Sequence, residues 1–171
     1  MFGLQKVMVI GCPGSGKSTF SRALRDKTGL PLYYLDMLYW NADKTTVQRE
    51  VFRTRLAKIL EADAFIIDGN YHSTLEMRFS ACDTVFFLDY PTDVCLDGVR
   101  SRFGKPREDM PWIETEPDPE FMDYIRRFAT ENRPEILALI EKYPQVKVIT
   151  FTSRAEADAY LNTIKTGDET L

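Results

Sequence analysis

A lysine and a serine stand side by side at the end of a glycine-rich run, Gly11-Cys12-Pro13-Gly14-Ser15-Gly16-Lys17-Ser18. The run fits the phosphate-binding pattern G-x-x-x-x-G-K-[ST]. Each residue type has a task in that chemistry. Glycines let backbone N–H groups turn inward onto phosphate oxygens, and the positive end of a following helix adds to the attraction. Lys17 has the reach and charge to meet the β- and γ-phosphates of a nucleoside triphosphate, and the Ser18 hydroxyl is suited to ligate Mg²⁺. Gly11, Pro13, Gly14, Ser15, Gly16 and Thr19 complete the expected nucleotide-binding stretch.

A phosphate loop needs a further carboxylate to hold the water shell of Mg²⁺. Asp68, after Phe65-Ile66-Ile67, and Asp89, after Phe86-Phe87-Leu88, both qualify. Gly69 permits close backbone approach at the carboxyl end of a strand, where open α/β sheets bind ligands, and this favours Asp68. Asp89 otherwise caps the chain before Pro91. Asp36 closes the run Leu32-Tyr33-Tyr34-Leu35 and is placed to bind an acceptor or to take a proton from an acceptor hydroxyl. A simple turn or helix cap is the plain alternative. Tyr33, Tyr34, Tyr39, Trp40 and Tyr71 gather about it, either to stack on a ring or to fill core. His72, the sole histidine, cannot form a metal cluster and reads as a loop hydrogen-bonding group.

Charge neutralisation for phosphoryl transfer requires cations. Arg100, Arg102, Lys105 and Arg107 crowd together beside a Pro/Gly-rich stretch at 103–117, which reads as a mobile lid. Arg126, Arg127 and Arg133 follow, with Arg126 and Arg133 spaced to share a helix face despite Pro134. Arg102, with Arg126 or Arg133, is the expected neutralising set.

These residues need a scaffold. Lys6–Ile10 reads as a short buried strand and Thr19–Lys27 as helix, the context in which a phosphate loop works. Further strands read near 31–35, 64–68, 84–88 and 146–150. Helices read over 17–28, 47–61, 92–102, 118–131, 134–143 and 154–164. Continuous apolar runs such as Val85-Phe86-Phe87-Leu88 predict strands covered on both faces, hence a parallel α/β sheet. Residues 1–164 read as one nucleotide-kinase-like domain, with 165–171 a flexible tail.

The 171 residues are ordinary for a globular chain, 44% hydrophobic and 28% charged. A net charge of −4 argues against direct nucleic-acid binding. No apolar run approaches the roughly 18 residues of a membrane span, and no signal peptide precedes the first strand, so a cytoplasmic location is expected. Cys12, Cys82 and Cys95 form no C-x-x-C pair, which suggests neither a zinc site nor a disulfide framework.

With these residues in place the chain resembles the adenylate kinase group of P-loop kinases over most of its length. The phosphate loop, Asp36-Met37-Leu38, Phe65-Ile66-Ile67-Asp68-Gly69 and the helix from Pro91 to Arg102 carry the likeness. It implies a three-layer fold with a five-stranded parallel sheet of order 2-3-1-4-5, a short lid, and ATP with Mg²⁺ as phosphoryl donor. Tyr39 stands where that group has an arginine for the acceptor phosphate, and Asn70-Tyr71-His72 where it has another. Gly98 stands where an arginine stacks on adenine, and Arg78 is a possible stand-in for a lost arginine. The chain is also similar to the bacterial DNA topology modulation, or adenylate kinase-related, proteins, through Gly11–Thr19, Leu35–Trp40 and Ile66–Tyr71.

Three functions follow as expectations. The first is an ATP-dependent phosphotransferase acting on a small acceptor, a nucleoside, nucleotide or hydroxylated metabolite. The others are an ATP-bound regulatory switch, and an adenylate kinase. A phosphate acceptor needs arginines but no base; a hydroxyl acceptor needs a base, and Asp36 is the candidate.

Overall fold

The computed structural model describes residues 3–166. The part of the expected flexible tail from residue 167 onward lies outside them. Five strands form one sheet: β1 (Lys6–Gly11), β2 (Leu32–Tyr34), β3 (Phe65–Asp68), β4 (Thr84–Leu88) and β5 (Lys147–Phe151). Every neighbouring pair is parallel, as the apolar runs predict, and the order is β2-β3-β1-β4-β5, as the resemblance to the adenylate kinase group implies. All residues of β3 and β4 are buried, and all of β1 after Lys6. Such continuous burial requires cover on both faces.

The helices are α1 (Lys17–Thr28), α2 (Leu35–Tyr39), α3 (Arg49–Leu60), α4 (Leu75–Phe79), α5 (Thr92–Arg102), α6 (Pro119–Glu131), α7 (Arg133–Lys142) and α8 (Arg154–Thr163). A 3-10 turn, His72–Thr74, precedes α4. Phe86 of β4 stacks on Phe151 of β5 with centroids 6.1 Å apart, and Phe20 of α1 tilts against both, tying α1 to the sheet. Segment 103–118 carries no regular element, in keeping with its Pro106, Pro111 and Pro117. No helix among the described residues is long and apolar enough to cross a membrane.

Two local expectations are corrected. Asp36 does not close a strand: β2 ends at Tyr34, and Asp36 lies in the first turn of α2. An apolar run this short is ambiguous between strand and helix, and an acidic side chain in a first turn complements the helix dipole. Arg126 and Arg133 do not share a helix either. Asn132 ends α6 and begins α7, and Pro134 sits in the first turn of the new helix, where its missing N–H costs no intrahelical bond.

Candidate functional site

β1 delivers the chain to the phosphate loop at the carboxyl edge of the sheet. Gly16 begins α1 in the left-handed conformation, φ 92°, with no side chain capping the helix and no acidic residue in its first turn. The first N–H groups of α1 therefore remain open to an anion. Gly14, φ 85°, lies so close to α5 that a Cβ on it would meet the Cys95 carbonyl oxygen at 2.0 Å. From the other side, a Cβ on Gly98 would meet the Gly14 oxygen at 2.0 Å. Two glycines thus let α5 seat directly against the loop backbone. Gly98 leaves no room for a side chain of any kind, which accounts physically for the glycine at this position.

Three side chains set the loop. Asn70, just past β3, accepts from the Gly11 N–H at 3.1 Å and donates to the Gly11 carbonyl at 2.6 Å. Arg154, opening α8, donates to Ser15 O at 2.9 Å and Gly14 O at 3.1 Å. Lys17 Nζ donates to Gly11 O at 3.0 Å and Cys12 O at 3.3 Å. Neither Asn70 nor Arg154 was singled out for this task by sequence reasoning; the Asp-Gly-Asn run held a signal for Asn70, whereas Arg154 had none.

Asp68, at the end of β3, is 5% exposed and accepts from Ser18 Oγ at 2.9 Å. Burial pushes its carboxyl up to about 6, against the opposing pull of Lys17 and the Ser18 hydroxyl. An ionisable carboxyl beside the loop serine is the donor set that Mg²⁺ takes with phosphate, so the residues fit that ion. Asp89, the rival, instead accepts both Nε and Nη of Arg133 at 2.9 Å.

Asp36 accepts the Tyr71 hydroxyl at 2.5 Å. Burial raises its carboxyl above the ordinary range, while Tyr71 and Lys17 act to lower it. Burial and Asp36 together push the Tyr71 phenol up, so it stays a donor. Tyr71 itself is held at φ 38°. Arg78 supports this segment from beneath: fully buried, it donates to the carbonyls of Gly69, at 2.9 Å, and of Asn70. Arg78 is therefore no stand-in for a substrate-gripping arginine. Burial lowers its pKa to about 10.

Lys17, Ser18, Asp68, Asp36 and Arg102 all open on one cavity of about 1130 Å³. Segment 103–118 forms its far wall and is anchored at three points. Glu108 accepts from Tyr34 at 2.7 Å and Arg25 at 3.3 Å, and Trp112 meets Trp40 edge-on at 5.9 Å. Glu114 gathers Arg102, at 3.3 Å, and Arg107, at 3.0 Å. Arg126 and Arg133 do not line the cavity. Arg126 pairs with Asp123 at 2.7 Å on an exposed face of α6, and Arg133 is taken by Asp89. Arg22, Arg107 and Arg154 line it instead. Tyr39, Trp40 and Tyr71 line it too, while Tyr33 packs against the core. His72 also lines the cavity, with Glu135 3.4 Å from its Nδ1 and burial lowering its pKa.

No protein-family model matches the chain, and no curated protein matches it. Solved structures do. A shikimate kinase from Bacteroides thetaiotaomicron superposes with a TM-score of 0.58 at 20% identity, over 94% of this chain and 96% of that one. A shikimate kinase from Acinetobacter baumannii in complex with shikimate superposes with a TM-score of 0.60 at 17% identity, over 94% and 93%. At such identity the likeness is one of architecture, and the chain has the α/β fold of these P-loop kinases.

Proposed function

We propose that the protein is a phosphotransferase that uses Mg·ATP to phosphorylate a hydroxyl group on a small acceptor. The observation that carries this reading is that the phosphate loop and Asp36 face one cavity, with Lys17 near enough to oppose the burial shift of both Asp36 and Asp68. Gly14, Ser15, Gly16 and Thr19 supply the N–H groups and first helical turn that receive the phosphates. Lys17 leaves the loop carbonyls for the β- and γ-phosphates. Ser18 and Asp68 hold Mg²⁺, which when bound would screen the charge of the β- and γ-phosphates. Asp36, aligned by Tyr71, takes the proton of the acceptor hydroxyl as its oxygen bonds to the γ-phosphorus and the bond to the β,γ-bridging oxygen breaks, releasing ADP. Arg102 and Arg107, released from Glu114, neutralise the moving group.

The test is ADP formation from Mg·ATP against nucleosides, nucleoside monophosphates and small hydroxylated metabolites, with Lys17→Ala as the blank. One acceptor class should raise turnover far above basal hydrolysis, and the blank should abolish it. Preference for AMP would make the protein an adenylate kinase, with Arg102 or Arg107 on the acceptor phosphate since Arg78 is sealed in the core. Tight ATP binding that no acceptor accelerates would favour the nucleotide-bound switch, in the manner of the topology modulation proteins, and would sink the kinase reading.

A further inference from the structure

One carboxylate of the cavity has no use in the reaction described above. Asp109, on the lid segment, is 6% exposed yet lines the cavity. Among the described residues it accepts no hydrogen bond; its nearest cation, Arg107 Nη1, is 3.8 Å away, and the other Nη of Arg107 donates to Glu114 at 3.0 Å. A buried carboxylate without a hydrogen bond is costly, and in a cavity wall its partner is to be sought in the ligand.

The surroundings limit what that ligand is. The charge of Asp109 acts on both Asp36 and Asp68, more weakly than Lys17 does in the opposite sense, and once Lys17 turns to the phosphates three carboxylates are left facing one space. A neutral hydroxyl donor would satisfy hydrogen bonding there but leave the repulsion; a cation relieves both.

We propose that the acceptor of this cavity is an amino alcohol, its ammonium held by Asp109 and its hydroxyl presented to Asp36. This rests on the phosphotransferase reading, and binding separates the two. Calorimetric titrations in the presence of Mg²⁺ and a non-hydrolysable ATP analogue would compare glucosamine with glucose and glucuronate, and serinol with glycerol. The amine of each set should bind at least about tenfold more tightly than its neutral counterpart, the scale of one charge-assisted hydrogen bond. Asp109→Asn should erase that preference without weakening the neutral ligands, and Asp109→Glu should keep it. A lid merely loosened by the substitution would weaken all ligands alike. Equal or absent binding of amine and neutral partners, tighter binding of glucuronate, or a preference that survives in Asp109→Asn would overturn the proposal. Amine preference without ADP formation would sink the kinase reading and leave the ligand assignment standing. ADP formed best from a neutral or anionic acceptor would do the reverse.

Discussion

The phosphate loop and the aromatic end of the cavity are held by different kinds of contact. The loop is a backbone structure: its shape comes from Gly14 and Gly98 packed carbonyl to helix, and from Asn70 and Arg154 bound to main-chain groups. The aromatic end is a side-chain structure, in which Asp36 and Trp40 from α2 and its C-cap, Tyr71 from the turn after β3 and Trp112 from segment 103–118 meet only in the fold. Backbone scaffolds fix what all nucleoside triphosphates share, whereas side chains decide which acceptor is admitted. Substitutions in the two regions should therefore fail in different ways.

The sharpest separation is expected from Asp36→Asn. Turnover should fall about 10²- to 10⁴-fold, the usual worth of a general base, while Mg·ATP affinity stays where it was. Weakened ATP binding would show that the two ends are not independent.

Asp68 sits on the seam between them. Its pKa in the folded chain is raised from 3.8 to about 6, so the fold favours the protonated form. The corresponding stability, about 3 kcal/mol, is present below the unfolded value and is lost as pH rises through the folded one. Denaturant unfolding without nucleotide should therefore show wild type losing about that much between roughly pH 4 and 6, relative to Asp68→Asn. Mg·ATP, which wants the ionised carboxyl, should bind more weakly as pH falls through about 6 in wild type, and Asp68→Asn should lack that slope. A flat difference between the two proteins would remove Asp68 from the dry interior.

Gly98→Ala addresses the backbone half alone. A methyl group 2.0 Å from the Gly14 oxygen forces α5 and the loop apart, at about 1–3 kcal/mol by the scale of overpacked cores. Nucleotide affinity should drop, and the combined fluorescence of Trp40 and Trp112 should report an unaltered aromatic end. The smallest effect belongs to Arg133→Ala, which removes a partly exposed ion pair with Asp89 and should cost about 1 kcal/mol or less in thermal unfolding. A more than tenfold loss of turnover there would bring Arg133 back to the cavity.

The same contrast explains what could be read from the chain. The loop and the parallel sheet were legible because Gly11–Ser18 is contiguous and the buried strands are continuous apolar runs, whereas the strand order came only with the family resemblance. Asp36 was legible as a residue but not in its setting, since four apolar residues do not distinguish a strand end from a helix start. The arginines were least legible. Arg126 and Arg133 looked aligned by spacing, but Asn132 turns the chain between them, and Asp123 and Asp89 claim their charges. Arg107 was legible within the charged cluster beside the lid, whereas Arg22, Arg154 and Asp109 reach the cavity by tertiary placement that no local pattern encodes.

Arg154 also sets an order of events during synthesis. The loop emerges from the ribosome early, but the side chain that grips it follows Gly14 by 140 residues and Ser15 by 139. Until β5 docks on the sheet edge and presents the start of α8, the growing chain carries a phosphate-binding sequence without its clamp.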